Sequence, residues 1–209
     1  MSRTSILASV LCAGIAFALS ASIANAQTSL TVFYGLRGSG GLDDATSGAS
    51  ANIRDTGAVS IALDVDYEPT TQIQVFGSYQ STSIDVTQTG QPAGTMTRIP
   101  LKVTYLHVGG TSFFDGPVGR GPYVVGGLGA TWLSPDFPGL DPELKPSLNV
   151  GIGYLLPLTK SLGIRFEGRG YFTLINSSGG LFCSGGCVVA IKGDTLSQGE
   201  VMAGLTWRF

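Results

Sequence analysis

The strongest constraint in this sequence is a period of two. From Ser29 onward, polar and apolar side chains alternate in eight stretches, about 29–38, 54–67, 72–84, 96–109, 121–133, 146–158, 162–174 and 195–209, each bounded by turn-forming residues. In the first, Leu30, Val32, Tyr34 and Leu36 share one face and Thr31, Phe33, Gly35 and Arg37 the other. Successive side chains of a strand point to opposite sides, so alternation of this kind means one face against an apolar medium and one against a polar one.

The medium follows from composition. Only 12% of residues are charged, about half the globular norm of ~25%, and mean hydropathy is +0.28. Yet after residue 26 no run approaches the ~18 apolar residues of a spanning helix. A chain that is apolar overall without one apolar segment suits strands that each turn one face to lipid. The formal net charge of −2 provides no electrostatic footprint for nucleic acid.

Residues 1–26 read as a secretory signal peptide: Arg3, an apolar run from Ile6 to Ile23, then an A-x-A cleavage site at Ala24 and Ala26. No Cys follows the site, which argues against a lipoprotein. The remaining chain, 27–209, has no Pro/Ser linker and reads as one domain. Its two cysteines, Cys183 and Cys187, enclose Ser184-Gly185-Gly186, and in an exported chain this pair is expected to form a disulfide that stiffens a loop tip. Between strands the connections run long, short, long, medium, long, short, long, the habit of an outer-membrane barrel.

A soluble barrel would turn its apolar face inward, and a membrane barrel reverses this. Arg165, Glu167 and Arg169 share one face of the seventh strand, and Glu200 stands on the eighth. Asp64, Arg98 and Lys102 take the same class of position elsewhere, so these seven residues are expected to form a polar network in the lumen. That choice puts Ile99, Leu101, Val103, Tyr105 and His107 of the fourth strand on the lipid side. Aromatics near strand ends, Tyr67, Trp132, Tyr154, Phe172, Trp207 and Phe209, fit interfacial girdles. Lipid cannot satisfy an open sheet edge, so first and last strands must pair. The expected fold is an all-β, eight-stranded antiparallel transmembrane up-and-down barrel with a lumen that side chains can fill.

In these features the chain resembles the small outer-membrane barrels of Gram-negative bacteria, the OmpA-, OmpX- and OmpW-like group. The resemblance covers the whole segment 27–209 in pattern and is most specific at Gly204-Leu205-Thr206-Trp207-Arg208-Phe209. It implies that Gly204, Trp207 and Phe209 form the assembly signal read by the barrel-insertion machinery. It also implies a bacterial outer-membrane location among lipid and lipopolysaccharide, and an extracellular partner that the sequence does not name.

Three functions fit such a barrel. The first is a non-enzymatic scaffold acting through long loops, above all the loop from Ile175 to Asp194, in adhesion, envelope stability or surface interaction. The second is a narrow channel in which Arg165, Glu167 and Arg169 form a constriction. The third is a lipid A-modifying enzyme, for which His107 is the sole histidine available as a base. A soluble periplasmic barrel or sandwich is the alternative outside this class. No metal cluster, phosphate loop or nucleotide fingerprint appears, so no cofactor is expected. The run Gly126-Gly127-Leu128-Gly129 lies within a strand, where small residues ease packing.

Overall fold

The computed structural model describes residues 27–39, 42–43, 50–87, 96–136, 138, 140–175, 181–183, 187–189 and 195–209. The signal segment 1–26 lies outside them. Eight long strands form the barrel: β1 (Thr28–Ser39), β4 (Thr56–Glu68), β5 (Thr71–Thr87), β6 (Met96–Phe113), β7 (Gly121–Pro135), β8 (Glu143–Pro157), β9 (Leu162–Leu174) and β12 (Thr195–Arg208). Four short strands decorate one end: β2 (Leu42–Asp43), β3 (Ser50–Ile53), β10 (Leu181–Cys183) and β11 (Cys187–Val189).

Each long strand pairs antiparallel with the next, and β1 pairs with β12, so the sheet closes on itself. At the closing seam Thr28 and Phe209 exchange backbone hydrogen bonds of 3.1 and 3.0 Å. Closure leaves no long edge whose N–H and C=O groups would face hydrocarbon.

The two ends differ. One carries the chain ends of the barrel and the links Pro69–Thr70, Phe114–Arg120 and Leu158–Ser161, none above seven residues, while the other carries the connections 40–55, 88–95, 136–142 and 175–194, none below seven and on the whole longer. Gly116 and Gly119 within the link after β6, and Gly121 at the start of β7, adopt positive φ, and Val118 lies under the barrel between them. Its amide donates to Pro69 O at 2.8 Å and its carbonyl accepts from Arg208 at 3.0 Å. Val118 is thereby buried with Phe113, Tyr123, Val125 and Leu155 and stops the short-link mouth.

Around the middle the wall is inverted relative to a soluble protein. Val32, Tyr34, Leu36, Ile61, Val75, Leu106, Val108, Ile152, Phe166, Val201, Leu205 and Trp207 point outward and are 42–74% exposed. Arg37, Asp64, Arg165, Glu167, Arg169 and Glu200 point inward and are at most 3% exposed. Exposed apolar area on this scale around a whole sheet is a surface made for lipid.

One strand departs from the expected orientation. In β6, Ile99, Leu101, Val103, Tyr105 and His107 face the interior, at no more than 2% exposure, while Arg98, Lys102, Thr104 and Leu106 face out. Arg98 and Lys102 are therefore not lumen residues, and His107 does not face lipid. For residues 98–103 the physical reason is that β5 and β6 overshoot the apolar band toward the longer-loop end, whereas Tyr105 and His107, level with lipid-facing Leu106 and Val108, turn inward to polar partners, Gln198 and Ser147. Outside lipid the soluble rule returns, with charge outward and hydrocarbon inward.

Candidate functional site

The inner positions build three layers. In the lowest, Arg165 of β9 donates from Nη1 to Asp64 Oδ2 on β4 at 2.8 Å and from Nε to the Tyr123 hydroxyl at 2.8 Å. Tyr123 donates to Glu167 Oε2 at 2.7 Å, and Glu167 Oε1 accepts from Arg169 Nε at 2.6 Å. Arg169 Nη2 donates to Gln74 Oε1 at 2.9 Å, and Gln74 Nε2 donates to Asp64 Oδ1 at 2.7 Å. These six residues from four strands form a closed hydrogen-bonded circuit spanning the lumen. Each buried charge has an opposite partner, the condition under which burial of ions is tolerated.

Aromatic rings make the next step up. The Arg169 guanidinium lies 3.7 Å from the centre of the Phe76 ring, and that of Arg165 lies 5.7 Å from Phe33. Phe33 fits because Gly204 faces it: a Cβ there would meet the ring at 2.7 Å. Gly153 serves Tyr123 in the same way, since its missing side chain leaves room for the tyrosine hydroxyl.

The second polar layer is centred on Arg37, which donates to Glu200 Oε2 at 2.7 Å and bonds Ser78. Tyr171 donates to the same Glu200 oxygen at 2.6 Å, and Tyr105 to Gln198 at 2.6 Å. Tyr105 and Tyr171 stack with centroids 4.4 Å apart. Beside them His107 Nε2 lies 3.0 Å from Ser147 Oγ. Residues at most 5% exposed hold both groups. The other ring nitrogen of His107 has no partner among the described residues, so no carboxylate orients the ring as a nucleophile-activating pair requires.

The third layer is hydrocarbon. Ile53, Ile84, Ile99, Leu101, Val103, Leu133, Ile175 and Leu196 fill the barrel at the longer-loop end, and Leu140 packs onto them from the β7–β8 connection. On the outside of the same section stand Arg54, Asp55, Ser81, Asp85, Arg98 and Lys102. Arg98 donates to Asp85 at 2.9 Å and Arg54 lies 3.7 Å from it, yet the two arginine side chains remain 60% and 53% exposed. An open depression of about 780 Å³ runs between β3, β4 and β5, lined by Ile53–Thr56, Ser81–Ser83 and Asp85. This section is an extension of the barrel beyond the apolar band, with a core that runs on from the rings of Phe33, Phe76, Tyr105 and Tyr171 below it.

Asp64, Arg165, Glu167, Arg169 and Glu200 thus meet in the lumen, in two separate layers, while Arg98 and Lys102 stand on the outer wall. Arg37, Tyr105, Tyr123 and Tyr171 complete those layers. Arg37 shares the alternation of its strand with Phe33, a signal visible in sequence, whereas the tyrosine hydroxyls have none. Gly204 is partly buried against Phe33, and Trp207 and Phe209 are 64% and 71% exposed on the outer wall beside the closing seam. Cys183 and Cys187 are opposite each other in the β10–β11 hairpin register; their side chains, and residues 184–186, lie outside the described residues. Among the described residues no group of His, Cys, Asp and Glu is placed to hold a metal.

No protein-family model matches the chain, and no curated protein does. Solved structures do. Neisserial surface protein A aligns at TM-score 0.51 and 14% identity over 88% of this chain and 97% of that one. The fold is that of the small outer-membrane barrels. Ail, the attachment invasion locus protein of Yersinia pestis, solved with the heparin analogue sucrose octasulfate, aligns at 0.48 and 14% over 88% and 99%. The outer membrane protein AlkL in DMPC bilayers gives 0.48 and 13% over 88% and 89%. In outer-membrane barrels the short links face the periplasm and the longer connections the cell exterior.

Proposed function

We propose that this protein is a non-conducting, non-enzymatic outer-membrane barrel that acts through its extracellular extension and loops in surface interaction, adhesion or envelope stability. One observation carries the reading: the lumen is filled along its length. Val118 and Leu155 stop the periplasmic mouth, two ionic layers and the rings of Phe33 and Phe76 occupy the middle, and a hydrocarbon cap closes the top. A solute would have to break several paired buried charges to pass. Removing one partner of such a pair costs ~3–5 kcal/mol.

The same packing weighs against chemistry inside the barrel, since His107 and Ser147 are sealed from both lipid and bulk water. What is left for partners is the outer wall of the extension and the connections above it, held by a scaffold whose core runs on from the barrel below. The test is conductance of the refolded chain 27–209 in planar bilayers. A silent barrel agrees with the proposal. Discrete single-channel steps that vanish on adding charge to the lumen would replace it with the narrow-channel reading.

A further inference from the structure

We infer that the lumen encloses a small cluster of ordered water molecules held by Asn149, where the two ionic layers meet. The site lies inside the closed barrel and does not depend on how the barrel meets its partners.

Room comes from glycines. Alternation turns Gly109 of β6 and Gly127 of β7 inward, and register sets them in one row with Asn149 of β8 and Tyr171 of β9. The next row toward the longer-loop end reads His107, Gly129, Ser147 and Thr173. There the imidazole reaches across Gly129 to Ser147 at 3.0 Å. In the row of Asn149 neither β6 nor β7 supplies a side chain, and on the other flank the inward position of β8 is Gly151. The atoms nearest to where a Cβ on Gly127 would stand belong to the β6 backbone, Val108 O at 3.1 Å among them.

The polar groups around these glycines are unmet. Asn149 is 3% exposed, yet neither its Oδ1 nor its Nδ2 has a hydrogen-bond partner among the described residues. The same holds for Nδ1 of His107 in the row above. It holds too for Nη1 of Arg169, which stands opposite Gly151 in the row below. Both side chains are as buried as Asn149. Native proteins satisfy nearly all such groups, with ordered water where no side chain serves.

The guest has to donate as well as accept. Asn149 Oδ1 needs a donor, whereas Asn149 Nδ2 and Arg169 Nη1 need acceptors. An anion would serve only the second pair and a cation only the first. Nor do the two layers leave a charge for an ion to balance, because Arg37, Arg165 and Arg169 match Glu200, Asp64 and Glu167 one for one. Water meets both needs, with about three hydrogen bonds per buried molecule. The residues packed around Val118 below and the hydrocarbon cap above separate the cluster from bulk solvent. It therefore bridges the layers without making a path through the barrel.

The test is a crystal structure of refolded chain 27–209 at a resolution that shows water, with folding checked by heat-modifiable gel mobility. Solvent density should stand about 2.7–3.2 Å from both Oδ1 and Nδ2 of Asn149. The amide nitrogen of Gln74, buried but already bonded to Asp64 and Thr111, should have none. Asn149→Leu should lose the density at its own position and at His107 Nδ1. A second crystal grown in sodium bromide separates water from an anion, because bromide scatters anomalously. An anomalous peak beside Asn149 would overturn the assignment in favour of an anion site. Unchanged density in Asn149→Leu would remove Asn149 as its holder. An Asn149 amide with no solvent beside it would overturn the inference outright, and the closed lumen and the proposed function would still stand.

Discussion

Arg165 and Asp64 lie 101 residues apart in sequence and meet at 2.8 Å across the lumen, with side chains 1% and 0% exposed. Asp64 also accepts from Gln74, and Arg165 also donates to Tyr123, so each member holds a further segment of the circuit. Arg165→Met strands Asp64 in a site with little water and should cost about 3–5 kcal/mol. Urea unfolding of the detergent-refolded protein measures this as a lower midpoint. The double variant D64L/R165M removes both charges and should recover at least half of the loss. A double variant no better than the single one would mean that the ion pair itself, and not the stranded charge, sets the cost.

The reversal of polarity along β6 can be read with single cysteines. Leu106→Cys and Val108→Cys should place a label in lipid, where brominated acyl chains quench it. Lys102→Cys and Arg98→Cys should react with a membrane-impermeant thiol reagent in intact vesicles. Val103→Cys, facing the hydrocarbon cap, should resist both. Quenching at Val103 together with protection at Leu106 would restore the opposite strand orientation.

That strand also shows what the sequence could and could not disclose. Seven of the eight stretches turn their apolar face outward, and Arg37, Asp64, Arg165, Glu167, Arg169 and Glu200 lie inside, so the rule of inversion reads them correctly; β9 runs over 162–174 as alternation indicates. In β6 the apolar residues Ile99, Leu101 and Val103 lie above the lipid, where the same rule has the opposite sign. Alternation reports two faces but not the medium beyond each of them. The length of β5 and β6, 17 and 18 residues, was the missing clue, because a strand much longer than ~9–11 residues must leave the membrane. The bonding of Tyr123 and Gln74 into the lower circuit, and of Tyr171 to Glu200 above it, was invisible for another reason: it depends on stagger between strands, which alternation does not encode.

Glycine positions in the wall separate close approach from mere smallness. A Cβ on Gly129 would overlap the Leu106 carbonyl of the neighbouring strand, whereas one on Gly168 would meet nothing within 4 Å. Gly129→Ala should therefore destabilise by ~1–3 kcal/mol through overpacking of β6 against β7. Gly168→Ala should be neutral or slightly stabilising, because alanine loses less backbone entropy than glycine in a strand. Equal effects in urea unfolding would show that the β6–β7 seam relaxes freely.

In the β10–β11 hairpin, Cys183 and Cys187 face each other in register, a pairing compatible with the ~4.4–6.8 Å Cα separation of a disulfide. Protein exported to an oxidising compartment should resist thiol alkylation until reduced. So small a loop constrains the unfolded chain little, ~2 kcal/mol at most in the chain-entropy picture. C183S/C187S should consequently keep the heat-modifiable mobility of the barrel, with any loss confined to binding by the loop. Free thiols in the exported native protein would remove the bridge from consideration.

The terminal strand combines two roles that one pair of variants can separate. Phe209 bonds Thr28 through its backbone, while its ring and that of Trp207 lie on the lipid-facing wall with no lumen contact. Phe209→Ala leaves the backbone seam intact, so refolding into detergent should change little. Recognition by the insertion machinery, proposed for Gly204, Trp207 and Phe209, depends on the side chains, so the same variant should accumulate unassembled in the periplasm of expressing cells. Gly204→Ala should do the reverse in detergent: its Cβ would meet the Phe33 ring at 2.7 Å, and the folded barrel should lose ~1–3 kcal/mol. The measurements are the fraction of heat-modifiable protein in the outer membrane and in the refolding mixture. Normal assembly of Phe209→Ala in cells would remove the terminal ring from the signal.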